Sequence, residues 1–186
     1  MLVTVSVEIN ATAQNVAGVY KTQQDYVTGK LSEAVDLATK GNCFWENHSM
    51  VLVMKQGKNE TKYFYGEAYG YLLNGNKYRA VPKSGKLLSH YGYAKLIENG
   101  GLKLYSRKSH GYKMSHMDYY YSVSDSDLMR PLNRKNLGSD FASYPEFVNR
   151  VNLLSNKHSL YAQDSSGKYE LNKLFCELVN KECLGR

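Results

Sequence analysis

The sequence feature that most constrains the fold is the strict alternation of side chains between Lys62 and Leu73. Because successive side chains of a β-strand point to opposite faces, an alternation of period two predicts a single strand over these residues. One face carries Tyr63, Tyr65, Glu67, Tyr69 and Tyr71, and the other carries Phe64, Gly66, Ala68, Gly70 and Leu72. Asn74-Gly75 follows directly and is the dipeptide most typical of a tight turn between antiparallel strands. The sequence therefore predicts a β-hairpin at this point.

Strand and turn signals continue on both sides of this hairpin. Tyr91 and Tyr93 flank Gly92 in a strand expected over residues 87–97, which the turn Asn99-Gly100-Gly101 ends. Other strands are expected over residues 31–37, 51–54, 77–81, 102–107 and 112–123, with a turn at Ser109-His110-Gly111. Short strands joined by glycine-containing turns favour antiparallel pairing. We expect a bent, antiparallel β-sheet meander, mainly within residues 49–123.

Helix signals replace strand signals after Ser124. Asn133 can cap one helix, and Pro145 suits the first turn of a second. Earlier in the chain, Thr22 can cap a short helical turn. A third helix is predicted over residues 169–181, where Leu171, Leu174, Phe175 and Leu178 recur at helical spacing. Amphipathic helices must cover their apolar stripes, and the sheet is the available surface. The sequence of 186 residues thus predicts one α+β domain over residues 15–186, with its helices mainly at 133–181 and packed on the sheet.

The first fourteen residues carry a candidate cleavage signal. Ala11-Thr12-Ala13, followed by Gln14, fits the small-residue pattern that signal peptidase recognises, and a short apolar run precedes it. No lysine or arginine comes before that run, so we interpret residues 1–14 as a truncated signal-peptide remnant. If they are not, a cytoplasmic location is expected. No stretch of about 18 apolar residues occurs, and the sequence therefore predicts no transmembrane anchor.

Three cysteines, Cys43, Cys176 and Cys183, do not make a disulfide framework. On one continuous helix, seven residues at about 1.5 Å each would separate Cys176 from Cys183 by roughly 10 Å, which is too far for a disulfide. We therefore expect small buried hydrophobic side chains, with a bond from Cys43 to one of the others as the alternative. The paired-cysteine spacing of a zinc site does not occur.

Basic residues are concentrated in one part of the chain. Residues 62–113 contain ten lysines and arginines but only two acids, Glu67 and Glu98, a net charge of +8, while the remaining residues sum to −1. Aromatic strands with basic residues can stack sugars or nucleic-acid bases, although tyrosine also simply suits a half-buried sheet. The candidate ligand-binding residues are Tyr65, Glu67, Tyr69, Tyr71, Arg79, Tyr91 and Tyr93.

Catalytic and metal-binding patterns are weak. His116 and Asp118 share one face of a predicted strand and could begin a metal site with His90 or His110, but no third ligand has a diagnostic spacing. Glu67 with Asp118 is the pair that would serve a hydrolase with two carboxylates. No Gly-x-Ser-x-Gly, Walker, Rossmann or His-Glu-x-x-His motif occurs. We therefore expect no cofactor and no metal, and we assign no catalytic residue.

Three segments together resemble a group of uncharacterised exported proteins of Bacteroidetes-type bacteria. They are Gly18-Val19-Tyr20-Lys21-Thr22 with Asp25-Tyr26 and Lys30-Leu31, then Tyr65 to Tyr71 with Asn74-Gly75 and Lys77-Tyr78-Arg79, and finally Pro131 to Leu137 with Phe141. The resemblance covers most of residues 15–155 and implies a periplasmic or secreted location. It implies no activity, cofactor or site residue.

These observations favour a non-enzymatic binding or structural module of the cell envelope, with a glycan or an envelope component as its partner. A basic, aromatic sheet that binds single-stranded nucleic acid inside the cell is the first alternative. A hydrolase that uses Glu67 and Asp118 is the second.

Overall fold

The computed structural model describes residues 15–47, 51–82, 92–110, 115–154, 159–180 and 183. The proposed signal-peptide remnant lies outside these residues. The chain divides into two compact units, residues 1–93 and 94–186. Antiparallel strands occur in both units, and the longer helices lie in the C-terminal part, so the α+β class is confirmed. That residues 15–186 form a single domain stays a prediction.

The first unit consists of two sets of antiparallel strands and one short helix. Its elements are β1 (Val16–Tyr20), α1 (Gln23–Thr28), β2 (Glu33–Asp36), β3 (Cys43–Glu46), β4 (Leu52–Gln56), β5 (Asn59–Tyr63), β6 (Gly70–Leu73) and β7 (Asn76–Ala80). Four strands pair in the order β7–β6–β1–β2, and three pair in the order β3–β4–β5. Apolar side chains from both sets form one buried cluster, including Ala17, Val19, Leu52, Met54 and Tyr71.

Two local sequence signals of the first unit are confirmed. Asn74 and Gly75, with φ of +50° and +73°, form the turn between β6 and β7, because the mirror-image turns of tight hairpins need positive φ. Thr22 caps α1, where its hydroxyl accepts a hydrogen bond from the Asp25 N–H at 3.1 Å.

The prediction of a single strand from Lys62 to Leu73 is wrong. β5 ends at Tyr63, β6 begins at Gly70, and Gly66 between them has a φ of +99°. The Glu67 N–H donates to the Phe64 carbonyl at 2.9 Å, and the Phe64 N–H donates to the Glu67 carboxylate at 2.7 Å. These two bonds close a turn, since glycine adopts positive φ without the steric cost that other residues carry. The alternation therefore crosses a turn, and its tyrosines do not share one strand face.

The second unit combines four antiparallel strands with helices. Its elements are β8 (Tyr93–Asn99, whose first residue belongs to the first unit), β9 (Lys103–His110), β10 (Ser115–Ser122), β11 (Arg130–Pro131), α2 (Arg134–Asp140), α3 (Pro145–Leu153), a 3-10 helix (Ser159–Tyr161) and α4 (Glu170–Leu178). The strands pair in the order β11–β10–β9–β8. β9 continues through Ser109 and His110, which pair with His116 and Ser115, so the prediction that a turn begins at Ser109 is wrong. The pairing of β8 with β9 shifts by one residue between Leu96 and Glu98, which is a β-bulge.

The helices of the second unit pack on its strands, as the sequence predicts. Asn133 caps α2 by accepting a hydrogen bond from the Asn136 N–H at 2.9 Å, and Pro145 occupies the first turn of α3. The buried cluster joins the strand side chains Leu104 and Tyr121 to helix side chains, among them Leu137, Phe141, Phe147, Val151, Leu171 and Phe175.

The prediction that Cys176 and Cys183 are too far apart to bond is wrong. α4 ends at Leu178 instead of continuing to Lys181, and the Asn180 N–H turns back to the Phe175 carbonyl at 3.0 Å. The two Cα atoms are consequently 5.4 Å apart, and the sulfur atoms form a disulfide. Cys43 is a free thiol. The estimate of roughly 10 Å assumed a helix that continues through both cysteines.

In the described parts of the chain, no helix combines the length and the apolar character needed to cross a bilayer.

Candidate binding groove

Two of the proposed ligand-binding tyrosines lie inside the core of the first unit. Tyr71 is 4% exposed and Tyr93 is 3% exposed. The Tyr71 ring stacks on Tyr78 with centroids 4.3 Å apart, and its hydroxyl donates to the Glu46 carboxylate at 3.1 Å. The Tyr93 hydroxyl donates to the Ala68 carbonyl at 3.3 Å. Each ring is packed and each hydroxyl has a partner, which is how tyrosine is accommodated in a protein interior.

The other proposed ligand-binding residues are engaged locally. Tyr65 is half-buried, its ring lies 6.2 Å from that of Tyr93, and its hydroxyl donates to the Val81 carbonyl. Arg79 is 5% exposed and lies 5.1 Å from the centre of the Tyr69 ring, and Glu67 is exposed in the turn described above. Tyr91 lies outside the described residues. The structure thus brings Tyr65, Tyr71 and Tyr93 together as core residues, and a ligand-binding role for the whole set stays a prediction.

Most of the described basic residues within 62–113 have intramolecular partners. Lys77 lies 4.8 Å from the centre of the Tyr26 ring and donates to the Tyr26 carbonyl at 3.0 Å. The ion pairs are Lys62 with Glu60 at 3.1 Å, Lys103 with Asp125 at 3.6 Å, and Arg107 with Asp118 at 3.2 Å. Lys83, Lys86 and Lys113 lie outside the described residues. These basic side chains therefore make contacts within the protein, which makes them less suited to bind the phosphates of a nucleic acid.

The candidate metal residues form no site of three ligands in the part of the chain that the structure describes. Asp118 accepts hydrogen bonds from Arg107 and Ser109, and His116 lies 3.2 Å from it. Within the residues that the structure describes, no group of three or more histidine, cysteine and carboxylate side chains could hold a metal ion, and His90 lies outside them. Glu67 and Asp118, the proposed hydrolase pair, belong to different units, where each has its own hydrogen-bond partners.

A groove in the second unit, lined by apolar surface and several polar side chains, is the candidate functional site. Its volume is about 1120 Å³. It is lined by the turn between β8 and β9, the residues that follow β10, the loop before α4, and α4 itself with the disulfide. Its polar side chains include Glu98, Asn99, Lys103, Asp164, Lys168, Asn172 and Lys173. A concave surface with a few convergent polar groups is the usual form of a ligand site.

Glu98 is the half-buried carboxylate of the groove. It follows the β-bulge of β8, a distortion that commonly changes the direction of a side chain beside a functional site. Its carboxylate accepts a hydrogen bond from the Tyr169 N–H at 3.2 Å. Burial raises the pKa of the Glu98 carboxyl above its usual range, and hydrogen bonds from Asn172 and the Tyr169 backbone oppose that rise. A carboxyl with a shifted pKa in a cleft is a common mark of a functional residue.

Asn172 holds the wall of the groove in place. It is 4% exposed, its side-chain oxygen accepts from the Leu102 N–H at 2.6 Å, and its amide nitrogen donates to the Leu102 carbonyl at 2.9 Å. One side chain of α4 thus replaces a neighbouring strand at Leu102, because both backbone groups are satisfied. This pair of bonds is called the Asn172 clamp below.

The rim of the groove presents charges of both signs. Lys103 donates to the Asn99 side chain and pairs with Asp125, while Lys168 and Lys173 come from the loop and from α4. Hydrogen bonds from the Ser166 side chain and from the backbone hold the pKa of Asp164 below its usual range. The rim therefore offers hydrogen-bond donors and acceptors together.

Sequence reasoning did not find this groove. The pattern of Asn99-Gly100-Gly101 predicts a turn but indicates no ligand site. The apolar stripe within residues 171–178 predicts only which side of α4 is buried. One signal was available: Glu98 is one of only two acids among residues 62–113.

Comparison of the chain with known protein families, with curated proteins and with solved structures finds no match.

Proposed function

We propose that this chain is a non-enzymatic binding module that works outside the cytoplasm, in the periplasm or the surrounding medium, and that the groove of the second unit is its binding surface. The observation that carries the proposal is the Cys176–Cys183 disulfide in the wall of that groove. Disulfides persist in oxidising compartments and are rare where cellular thiols keep cysteines reduced.

Two sequence observations support export independently of the disulfide. Ala11-Thr12-Ala13-Gln14 fits a signal-peptidase site, and the resemblance to exported Bacteroidetes-type proteins implies the same location.

The chemistry of the rim favours a hydroxyl-rich ligand such as a glycan. Three lysines and two carboxylates line the groove, and Lys103 is already paired with Asp125. Hydroxyl groups donate and accept hydrogen bonds and therefore suit a rim of mixed sign. A polyphosphate backbone instead needs several cations that no carboxylate opposes. We accordingly propose a glycan of the cell envelope, and not a nucleic acid, as the partner.

The location is tested by measuring the intact mass of the protein in separated fractions of the cells that make it. We expect a chain that begins near Gln14 in the periplasm or the medium, lighter by two hydrogens than its fully reduced form. A full-length, fully reduced chain in the cytosol would overturn the export proposal. The intracellular nucleic-acid alternative would then be tested by oligonucleotide binding across a salt series.

The groove is tested by titrating isotope-labelled protein with soluble oligosaccharides from bacterial cell walls and capsules. We expect amide signals of residues 98–103 and 168–173 to shift. We also expect Glu98→Gln to weaken binding by about tenfold, since a half-buried carboxylate is a strong hydrogen-bond acceptor. Glu146→Gln is the matched control, because it makes the same change on an exposed residue of α3. If the shifts are confined to tyrosines of the first unit, the groove is not the binding surface and the first unit binds the ligand.

A further inference from the structure

The sulfur atoms of the disulfide press directly on the turn between β8 and β9. A Cβ atom at Gly101 would lie 2.7 Å from the Cys183 sulfur and 2.8 Å from the Cys176 sulfur. Real side chains do not approach so closely, so only glycine allows this contact. The disulfide therefore packs against the backbone that forms one wall of the groove.

The same turn is held a second time by the same helix. Asn172 lies four residues before Cys176, so both project from one face of α4. Its clamp fixes Leu102, and its amide nitrogen would lie only 2.6 Å from a Cβ atom at Gly100. The wall of the groove thus depends on two neighbouring contacts with α4, one hydrogen-bonded and one through the sulfurs.

The cross-link determines where Cys183 lies. α4 ends at Leu178, and the hydrogen bonds that follow, Asn180 to Phe175 and Cys183 to Asn180, belong to a short turn at the end of a helix. Helix ends fray, since their last carbonyls lack the regular partners of the helix interior. A covalent bond from Cys183 to Cys176 removes that freedom and keeps both sulfurs on Gly101.

We propose that the Cys176–Cys183 disulfide is a latch that completes the groove only after export. The proposal rests on the proposed function, because it concerns the regulation of the same groove. With both thiols reduced, Cys183 leaves Gly101, and the turn is held by the Asn172 clamp alone. In an oxidising compartment the two thiols transfer two protons and two electrons to a disulfide oxidant, which leaves as two thiols, and the Cys176–Cys183 bond forms. The chain therefore acquires its binding surface where its ligand is found.

The test is amide hydrogen exchange on the full chain, oxidised and then reduced with a phosphine, with the thiol state confirmed by mass. The reporter is Leu102, whose N–H is bonded to Asn172, and the internal reference is β1 in the first unit. We expect exchange at Leu102 to become about tenfold faster on reduction while β1 is unchanged. Cys183→Ser should reproduce the reduced state, and Cys43→Ser, at the free cysteine, should behave as the oxidised wild type.

A second variant keeps the test decisive if Cys183→Ser does not fold. Asn172→Ala removes the clamp and leaves the disulfide, and we expect fast exchange at Leu102 even in the oxidised protein, with a further increase on reduction. Equal exchange at Leu102 in the oxidised and reduced wild type would overturn the latch. That result needs no ligand, so it leaves the export and glycan-binding proposals to their own experiments.

Discussion

The two units bury tyrosine and phenylalanine in different proportions. In the first unit, tyrosines dominate the buried aromatic residues, and their hydroxyls reach carboxylates or carbonyls at the edge of the core: Tyr63 to Glu33, Tyr71 to Glu46 and Tyr93 to Ala68. In the second unit, helices supply Phe141, Phe147 and Phe175, whose rings meet edge to face beside leucines.

The difference follows from what covers the strands. The one helix described in the first unit, α1, has six residues, and the buried cluster of that unit forms mainly between its two sets of strands. Tyrosine suits such a place, because its ring is buried while its hydroxyl bonds at the boundary. In the second unit α2, α3 and α4 cover one face of the strands, and phenylalanine, leucine and valine side chains fill the space between, together with Tyr121 and Tyr169. The first core should therefore depend on its hydrogen bonds, and the second on its packing.

The largest expected effect is the loss of a phenyl ring from the second core. Phe147 is fully buried, with its ring 5.3 Å from Phe141 and 5.8 Å from Phe175. Phe147→Ala should lower the free energy of unfolding by about 3–5 kcal/mol in urea denaturation, because the cavity cannot close around rigid rings. Leu153→Ala, in the same helix but 76% exposed, should change it by less than about 0.5 kcal/mol. Similar values for both variants would contradict a packed second core.

The next effect concerns the close contact of backbone and aromatic rings in the first unit. A Cβ atom at Gly70 would lie 2.3 Å from the Tyr78 carbonyl oxygen and 2.9 Å from the Tyr26 ring. Gly70→Ala should therefore destabilise the protein by about 1–3 kcal/mol in thermal unfolding, since strand or ring must shift. Gly138→Ala in α2 is the matched control: the nearest atom is 3.8 Å away, and a gain of about 0.5–1 kcal/mol is expected from helix propensity. A loss of stability in Gly138→Ala, or no loss in Gly70→Ala, would contradict the close packing inferred at Gly70.

A smaller effect isolates one tyrosine hydroxyl. Tyr71→Phe keeps the ring stacked on Tyr78 but removes the donor to Glu46, and we expect a loss of about 1–2 kcal/mol because a partly buried carboxylate loses its partner. Tyr144→Phe, at an exposed tyrosine of the second unit, should be neutral within about 0.5 kcal/mol. A double-mutant cycle with Glu46→Gln measures the coupling. If Tyr71→Phe is as neutral as Tyr144→Phe, the first core does not depend on that bond.

Local signals predicted some elements of both units, although β1 and β3 were not among them, whereas contacts distant in sequence were not predictable. The Asn74-Gly75 turn, the Thr22 and Asn133 caps and the Pro145 start appear as the sequence predicts, since each depends on a few neighbouring residues. The alternation of 62–73 was misleading, because a glycine within a regular pattern can equally mark a turn, as Gly66 does.

The groove and the disulfide escaped prediction for a related reason. The groove depends on Asn172 meeting Leu102, seventy residues away, and no periodicity records such a contact. The disulfide depends on where α4 ends, and helix ends are the least certain part of a sequence-based prediction. The tyrosines were conspicuous in the sequence because the first core needs them, which is also why several are buried instead of exposed to a ligand.

The smallest effect is a difference in the pH dependence of stability, which should have opposite signs for the carboxyl groups of Glu33 and Glu98. Hydrogen bonds from Lys21 and Tyr63 hold the pKa of Glu33, in the first unit, below its usual range, so its contribution to stability is lost as the pH falls through the folded-state pKa. Burial raises the pKa of Glu98, in the second unit, so its contribution is complete at low pH and is lost as the pH rises through the folded-state pKa. Glu33→Gln should therefore destabilise the protein at about pH 7 and less so near pH 4, whereas Glu98→Gln should stabilise it at about pH 7 and not near pH 4. Urea denaturation of both variants and the wild type across that range measures the signs. If both variants change the free energy of unfolding in the same direction at neutral pH, burial does not destabilise the charged form of Glu98. The shifted pKa would then no longer support a binding role for Glu98.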